Sequence, residues 1–262
     1  MSLIITVYTS EGIVMASDSR TTQTFTNKGK SKSFPLSDNV EKTFVTKWNY
    51  GISTCGEASI NGLPLSGYIQ SFLDSYEYEM TKTTVQSFAN DLCNYFATLD
   101  LKSLLIFHVA GYDRNEKSFV CKVFRCIIYT DKSTNINLVS ENNYGAAWDG
   151  QTEVMLRIIK QQFLSPSFID AKHATYISNK GEAIDIDNAF IISKDSATFF
   201  PEASIDFNMM TIQDAVDFAR FAVRTTIDTQ RFLQMEKTVG GPIDVLVIKP
   251  QGNQWVSHKE LK

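Results

Sequence analysis

Apolar and β-branched runs that alternate with short polar turns predict a β-hairpin at the start of the chain. Residues 3–9 and 13–16 are two such runs, and residues 10–12, which end in a glycine, are typical of the turn between them. Pairing of the two runs about this turn brings Ser2 to the same end of the hairpin as Asp18. The pattern therefore predicts that these two polar residues lie close together.

The same pattern predicts a second hairpin further along the chain. Residues 43–46 and 52–55 are strand-like, and the turn between them is centred near Asn49. This pairing predicts that Lys42 lies opposite Gly56. A second set of polar candidates is thus expected at a strand end.

Helical periodicity appears in the middle of the chain and towards its end. Apolar spacing predicts helices over residues 85–96 and 152–163, and residues 211–214 resemble a capping box that opens a long helix. The apolar faces consist of Val85, Phe88, Ala89, Leu92 and Phe96 in the first helix and Ile212, Ala215, Val216, Ala219 and Val223 in the last.

Strand-like runs at residues 104–109 and 118–129 flank a predicted turn at 113–116. The order is then strands, two helices, strands, two more helices and closing strands, which indicates a mixed α+β fold. Two stretches fall outside this order. Residues 22–39 are interpreted as a loop rich in lysine, serine and threonine, and residues 164–204 as an insertion that can carry a hairpin.

Composition narrows the classes of partner. The 262 residues, 43% of them hydrophobic, suit one large domain with an ample core. A formal net charge of −4 without a cluster of lysine and arginine argues against nucleic acid as a partner. The chain has no basic leader and no apolar run near the ~20 residues of a membrane span. We therefore expect a cytoplasmic protein with neither a nucleic-acid nor a membrane partner.

The cysteines and histidines do not indicate a metal site. The cysteines lack the paired spacing of zinc sites and disulfide frameworks, and the histidines are isolated along the chain. Cys121 and Cys126 lie in an apolar run and are expected to be buried free thiols. The residues concerned are Cys55, Cys93, Cys121, Cys126, His108, His173 and His258.

Ser2 is the candidate nucleophile. If Met1 is removed, Ser2 carries a hydroxyl and a free α-amine on the same residue. An α-amine titrates near pH ~7.7–8.0, so much of it can accept a proton at neutral pH, as a general base must. In the alternative interpretation, Ser2 is an ordinary surface residue and Asp18 anchors the hairpin by pairing with Arg20. Lys42 is then a solvated charge at a strand end.

The order and spacing of these residues resemble a known family. The chain is similar to the β-type subunits of the 20S proteasome and their simpler bacterial relatives, which belong to the N-terminal-nucleophile (Ntn) hydrolase superfamily. Each motif alone is weak, whereas the ordered set is specific and touches both ends of the chain. The set consists of Ser2, Asp18 with Arg20, Lys42, Gly56 and residues 239–248, which begin with a valine and a pair of glycines.

The resemblance implies a fold and a set of roles. The fold is a four-layer αββα sandwich of two antiparallel sheets, formed by residues 1–262 as a single domain with insertions near 22–39 and 164–204. Ser2 is the nucleophile, Asp18 and Lys42 support it, and the N–H of Gly56 stabilises the oxyanion. No metal or organic cofactor is needed.

Several positions depart from the family pattern. Serine replaces the usual threonine as nucleophile, and Asp149 stands at the position of a serine near the nucleophile's amine. Glu236 takes the place of a supporting aspartate, and Val239 that of a serine whose hydroxyl Thr238 can replace. From the residues alone, a helix N-cap is the alternative role of Asp149, and a surface charge at a helix end fits Glu236 slightly better than a role in the site.

The resemblance also implies a substrate site. It places Thr54 and Ala58 in the wall of a specificity pocket, and Thr22 beside the backbone of an extended substrate that binds as an added strand. Small and uncharged walls predict a medium or large apolar side chain, because a charged one would be buried without a partner.

Three functions remain open on the sequence. The first is a peptidase that cleaves peptides or unfolded proteins inside a homo-oligomeric ring of six or seven subunits, with an ATPase partner not identified. The second is a catalytically silent ring or scaffold subunit, and the third is an amidohydrolase for smaller substrates. Since Ser2 directly follows Met1, activation would need only excision of Met1, and a retained Met1 would leave the site dormant.

Overall fold

The computed structural model describes most of the chain. The described residues are 2–27, 30–114, 118–141, 144–159, 169–177, 183–191, 205–234 and 236–259. Their contacts divide the chain into two compact units, one of residues 1–152 with 206–262 and one of residues 153–205.

The described elements run in the following order. The first strands are β1 (Leu3–Tyr8), β2 (Ile13–Ser17), β3 (Thr21–Asn27), β4 (Lys30–Ser37), β5 (Thr43–Val45), β6 (Gly51–Gly56), β7 (Ser59–Ile60) and β8 (Leu63–Pro64). Then come α1 (Leu65–Ser75), α2 (Val85–Ala97), β9 (Leu105–Arg114), β10 (Phe119–Ile128), β11 (Thr134–Leu138) and β12 (Gly145–Gly150). The chain continues with α3 (Glu153–Ile159), β13 (Ile169–Ile177), β14 (Ala183–Ile191), α4 (Ile212–Phe232), β15 (Asp244–Lys249) and β16 (Gly252–Ser257).

The first sheet has the strand order β12-β1-β2-β15-β16, and every neighbouring pair is antiparallel. The predicted hairpin of β1 and β2 is confirmed. Ile4 pairs with Ser17 and Tyr8 with Ile13, and the turn is closed by the N–H of Thr9 donating to the carbonyl of Gly12 at 2.9 Å. This register brings Asp18 to the end of the hairpin at which Ser2 begins.

The second sheet has the order β11-β10-β9-β6-β5 and is also antiparallel. Its hairpin of β5 and β6 is confirmed, but the predicted register is wrong. Thr43 pairs with Ser53, so the turn is centred on residue 48, and Lys42 lies opposite Thr54 instead of Gly56. The N–H of Thr54 donates to the carbonyl of Lys42 at 2.8 Å. A shift of one residue in the centre of a turn moves the pairing of its strands by two.

Helices cover the outer faces of the two sheets. Helix α4 contacts β1, β2 and β15 of the first sheet, and α2 contacts β9, β10 and β11 of the second. Helix α1 joins α2 through Phe72 and Phe88, whose rings are 5.7 Å apart. Between the sheets, Ile4 packs with Ile106 and Met15 with Ala110. The predicted mixed class of helices with antiparallel sheets is confirmed.

The two predicted helix starts have a physical basis in their caps. Helix α2 begins after Thr84, whose hydroxyl accepts a hydrogen bond from the N–H of Ser87 at 3.1 Å. Helix α4 begins after Thr211, and its capping box with Asp214 is complete, as predicted. Each cap satisfies N–H groups that have no partner within the helix.

Residues 22–39 were predicted as a loop, and that prediction is wrong for most of the stretch. Strands β3 and β4 form a two-stranded hairpin there. Alternating threonines favour strands in this stretch, and Phe25 contacts Phe34 across the hairpin, with ring centroids 6.2 Å apart. The composition of residues 22–39 does not show this alternation, because it counts residues without regard to their order.

The second unit contains α3 and the paired strands β13 and β14. The helix predicted over residues 152–163 is described from Glu153 to Ile159, and residues 160–163 lie outside the described residues. The insertion predicted at 164–204 is described only at the two strands, and part of the turn predicted at 113–116 is likewise outside the description. Among the described helices, none is both long enough and apolar enough to cross a membrane.

Candidate functional site

The Asp18 carboxylate is the hub of the candidate site. It follows β2, is fully buried, and accepts four hydrogen bonds. One oxygen accepts from the N–H of Leu3 at 3.0 Å and from Lys42 Nζ at 2.8 Å. The other accepts from the N–H groups of Arg20 and Gly240, each at 3.0 Å. The carboxylate therefore ties the Ser2 end of β1 to the segment after α4.

Lys42 precedes β5 and is only 5% exposed. Besides Asp18, its ammonium donates to the carbonyl of Arg20. Burial lowers the pKa of Lys42, and the attraction of Asp18 only partly opposes this effect. The alternative of a solvated charge at a strand end is therefore wrong for Lys42.

Ser2 is 8% exposed and is held through its backbone. Its carbonyl accepts a hydrogen bond from the N–H of Gln151 at 2.8 Å, and Leu3 pairs with Gly150 of β12. Gly150 has a φ of +96°, and a Cβ there would lie 1.8 Å from the Ser2 carbonyl oxygen. Only glycine allows so close an approach, so Gly150 is a site residue that the sequence reasoning missed.

Gly56 ends β6 and faces the same cavity as Ser2. Its φ is +101°, and a Cβ would lie 2.1 Å from the carbonyl oxygen of Leu104. The adjacent Glu57 carboxylate accepts hydrogen bonds from the N–H groups of Lys102 and Ser103, at 3.0 and 2.8 Å. Glu57 thus fixes the loop that packs against the glycine.

The cavity has a volume of about 980 Å³. It brings together most of the predicted site residues, namely Ser2, Thr22, Lys42, Thr54, Gly56 and Ala58. Apolar side chains such as Leu65, Leu104 and Ile106 line part of the wall, while Glu41 and Lys102 add charge that the sequence reasoning did not foresee. The volume is in the range of binding sites for small molecules or short peptide segments.

Arg20 lies beside the site without lining the cavity. Its guanidinium forms a bidentate ion pair with Asp38, at 2.6 and 2.7 Å. A Cβ on Gly240 would come within 2.5 Å of the guanidinium carbon, so the first glycine of the Gly-Gly pair makes room for Arg20. Asp18 and Arg20 are held by backbone and ion-pair contacts, and not by pairing with each other's side chains.

Glu236 and its neighbours do not extend the site. The Glu236 carboxylate is exposed and accepts a hydrogen bond from the N–H of Ser33 in β4 at 2.8 Å. The hydroxyl of Thr238 accepts from Gln230 of α4 at 3.5 Å, and Val239 is buried. Glu236 is absent from the lining of the cavity, so the surface alternative fits this residue.

Asp149 belongs to a buried network, and its interpretation as a helix cap is wrong because it lies within β12. Its oxygens accept hydrogen bonds from both arms of Arg125, each at 2.6 Å, and lie 2.9 Å from His108 Nε2. The other ring nitrogen of His108 is 2.9 Å from the hydroxyl of Thr6 in β1. Asp149 also lines the cavity. The network therefore connects the cavity wall with the space between the sheets.

The pKa of Asp149 reflects this environment. Burial acts to raise it, but hydrogen bonds from His108 and Arg125 outweigh burial, so the pKa lies below its ordinary value. The sequence reasoning missed His108 and Arg125 as members of the site. A histidine at an inward-facing position of an apolar strand was a signal that it has a buried partner.

No group of side chains suited to hold a metal ion occurs within the described part of the chain. Burial raises the pKa of Cys55, and raises that of Cys121 to about 12, so neither of these two thiols is activated. Ser2 and Lys42 both line the cavity, and Lys42 is bound there to the buried Asp18. In comparisons with known proteins, no family model matches the chain, and no curated protein matches it.

Proposed function

We propose that this chain is a proteasome β-subunit-like Ntn hydrolase that cleaves peptide bonds through Ser2. The observation that carries the proposal is the buried pair of Lys42 and Asp18, 2.8 Å apart, at the strand end where Ser2 opens into a large cavity. Two facing antiparallel sheets with helices on their outer faces support the four-layer αββα architecture of that superfamily.

The reaction is acyl transfer. The Ser2 hydroxyl oxygen attacks the carbonyl carbon of the scissile amide, and its proton passes to the α-amine of Ser2. Collapse of the tetrahedral intermediate breaks the C–N bond, and the protonated amine gives its proton to the leaving nitrogen. A water molecule then attacks the seryl ester by the same route, which releases the acid and restores the hydroxyl.

Lys42 supplies positive charge and is not the base of this reaction. Its ammonium is hydrogen-bonded to Asp18 and to a backbone carbonyl, so it is oriented, and the attraction of Asp18 favours its charged form against the effect of burial. A fixed cation lowers the pKa of a nearby hydroxyl by stabilising the developing alkoxide. Asp18 holds the cation in place and also ties down the N–H of Leu3, next to the nucleophile.

The backbone N–H of Gly56 is assigned the role of the donor that stabilises the oxyanion of the tetrahedral intermediate. Its position in the lining of the cavity that Ser2 also lines supports this role. One preorganised N–H donor contributes about 3 kcal/mol to transition-state stabilisation in acyl transfer. The tight contact of Gly56 with Leu104 keeps that donor from moving during the reaction.

An extended peptide is the proposed substrate. Thr22 at the rim can pair with its backbone, while Thr54, Ala58 and Leu65 leave space for a medium or large apolar side chain. Glu41 and Lys102 also line the cavity, so the peptides to be tested should include ones with charged side chains. We further propose a cytoplasmic homo-oligomeric ring, in which exposure of the Ser2 amine activates each site.

The decisive experiment labels Ser2 with an electrophilic peptide and measures the intact mass of the product. The mass also reports whether the α-amine of Ser2 is free. Protein with a free amine should gain one adduct on Ser2 and hydrolyse fluorogenic peptides. Ser2→Ala should do neither, whereas Ser2→Thr, which keeps a hydroxyl and an amine, should do both.

Other outcomes select the alternatives. Absence of labelling in protein with a free Ser2 amine would favour a silent scaffold subunit. Labelling with hydrolysis of small amides but not of peptides would favour an amidohydrolase. Hydrolysis by Ser2→Ala at the parent rate would exclude Ser2 as the nucleophile.

A further inference from the structure

A second buried carboxylate lies next to the candidate site. Asp244 begins β15, is fully buried, and pairs with Ser17 of β2, the residue before Asp18. The hydroxyl of Ser17 accepts a hydrogen bond at 2.8 Å from that of Thr43, which follows Lys42. Cross-strand partners lie about 5 Å apart, so the backbone of Asp244 lies beside the residue that precedes Asp18.

Lys259 neutralises this second carboxylate. Its N–H donates to one oxygen of Asp244 at 3.0 Å, and its ammonium donates to the other. The Lys259 side chain is 13% exposed. Within the described residues, it is the cation paired with Asp244.

The segment that carries Lys259 is fixed on both sides. The hydroxyl of Ser257 donates to the carbonyl of Ile243 at 2.8 Å. The His258 ring stacks on Trp255, with centroids 4.1 Å apart, and its Nε2 lies 3.3 Å from the carboxylate of Glu41 on the cavity wall. Residues 257 and 258 are thus held by defined contacts, one of them to Glu41, the residue before Lys42.

Two carboxylates at one strand end need two cations. A buried carboxylate that loses its partner is strongly unfavourable and will attract whichever cation can reach it. Without Lys259, Asp244 would compete with Asp18 for Lys42. The charge of Lys259 already acts on Lys42, where it adds to the lowering of the pKa by burial, so the two ammonium groups lie within electrostatic range.

We propose that Lys259 is a positioning residue of the site, which neutralises Asp244 and thereby keeps Lys42 bound to Asp18 beside Ser2. This inference rests on the proposed function for its catalytic consequence, but not for its electrostatic one. Lys42 itself donates to Asp18 and to the carbonyl of Arg20, and its charge also acts on Asp38. None of them contacts Asp244 among the described residues.

The electrostatic test measures the titration of Lys42 by NMR in protein labelled at the lysine side chains. Lys259→Met keeps the length of the side chain and removes its charge. This variant should raise the pKa of Lys42, because it removes a like charge and leaves Asp244 without a partner. Asp244→Asn with Lys259→Met removes both charges and should restore the parent value. Lys259→Arg, which keeps the charge, is the matched control.

The catalytic test measures the rate at which the same variants are labelled at Ser2, at a temperature where all of them are folded. Lys259→Met should be labelled about tenfold more slowly or worse, since a misplacement of ~1 Å in a site costs up to about a hundredfold in rate. The double variant and Lys259→Arg should recover most of the parent rate. A purely structural role would lower the melting temperature without moving the Lys42 titration.

The outcomes separate the two proposals. If Lys259→Met leaves the Lys42 titration unchanged, or if the double variant behaves like the single one, Lys259 is not a positioning residue. If the titration shifts and is rescued as expected but the parent protein is not labelled at Ser2, the role of Lys259 stands and the proposed peptidase does not.

Discussion

Replacement of Gly150 by alanine tests how firmly the backbone of Ser2 is held. A Cβ at residue 150 would lie 1.8 Å from the Ser2 carbonyl oxygen, whereas real Cβ atoms essentially never come within 3.0 Å of a neighbour. The neighbour is backbone, so no change of rotamer relieves the overlap. Ser2 must therefore move by on the order of 1 Å, enough to disturb a reacting group, and its hydrogen bond from Gln151 is strained.

A matched control separates this displacement from the cost of the backbone conformation. Gly62 also has a positive φ, +80°, but nothing lies within 4 Å of a Cβ placed there. Alanine in such a conformation costs ~1–2 kcal/mol at either position. Gly150→Ala should in addition slow the reaction of Ser2 by about a hundredfold, which corresponds to ~2.7 kcal/mol, whereas Gly62→Ala should leave the rate unchanged.

The assay combines the rate of Ser2 labelling by an electrophilic peptide, followed by intact mass, with urea unfolding of each variant. Gly150→Ala should be at least as destabilised as Gly62→Ala and should be the slower of the two in labelling. If Gly150→Ala is labelled at the parent rate, Ser2 tolerates the displacement, and the close approach of β12 does not position the nucleophile.

The charged and capping groups of the first unit predict three further results. Burial lowers the pKa of Lys42 against the attraction of its carboxylate partner, so Lys42 should lose its proton, and labelling of Ser2 should slow, as the pH rises towards ~10.4, where an exposed lysine titrates. A labelling rate that does not change up to pH ~10.4 would contradict this. The pKa of Asp149 lies below its ordinary value, so its stabilisation is complete above pH ~3.9 and is lost as the pH falls through the folded pKa. In the Asp149→Asn variant, the free energy of unfolding in urea should therefore fall less steeply as the pH is lowered. An unchanged slope of this free energy against pH would refute the prediction. Thr211→Ala should lower that free energy by ~1 kcal/mol, because the N–H of Asp214 loses its acceptor; an unchanged midpoint would show that the cap contributes nothing.

The amino-acid sequence by itself determined the local elements and the order of the candidate site residues along the chain. The runs around residues 10–12 fixed the first hairpin, because a short turn with a matching apolar pattern allows few registers. The nearness of Ser2 and Asp18 follows from that hairpin, whereas Lys42 reaches Asp18 from the other sheet, where the register differs from the predicted one. The capping box at Thr211 was equally local, since its hydrogen bonds join residues three positions apart.

Local pattern was insufficient where a choice depended on one residue of turn geometry or on the rest of the fold. The turn after β5 is centred one residue earlier than predicted, because the Thr46 hydroxyl accepts from the N–H of Tyr50 and Asn49 adopts a φ of +67°. The composition of residues 22–39 predicts a loop, although their alternation supports the hairpin that the structure contains.

Only the tertiary structure decided which distant side chains meet. Thr6 and His108 are 102 residues apart and touch because the two sheets stack, and Asp149 finds its partners only when β12 is added to β1. The carboxylate of Glu236 accepts a hydrogen bond from the N–H of Ser33, which belongs to a hairpin that no local pattern places beside Glu236. The physical reason is that hairpin register is set by neighbours in sequence, whereas contacts between sheets depend on how whole faces pack, which no short stretch of the chain encodes.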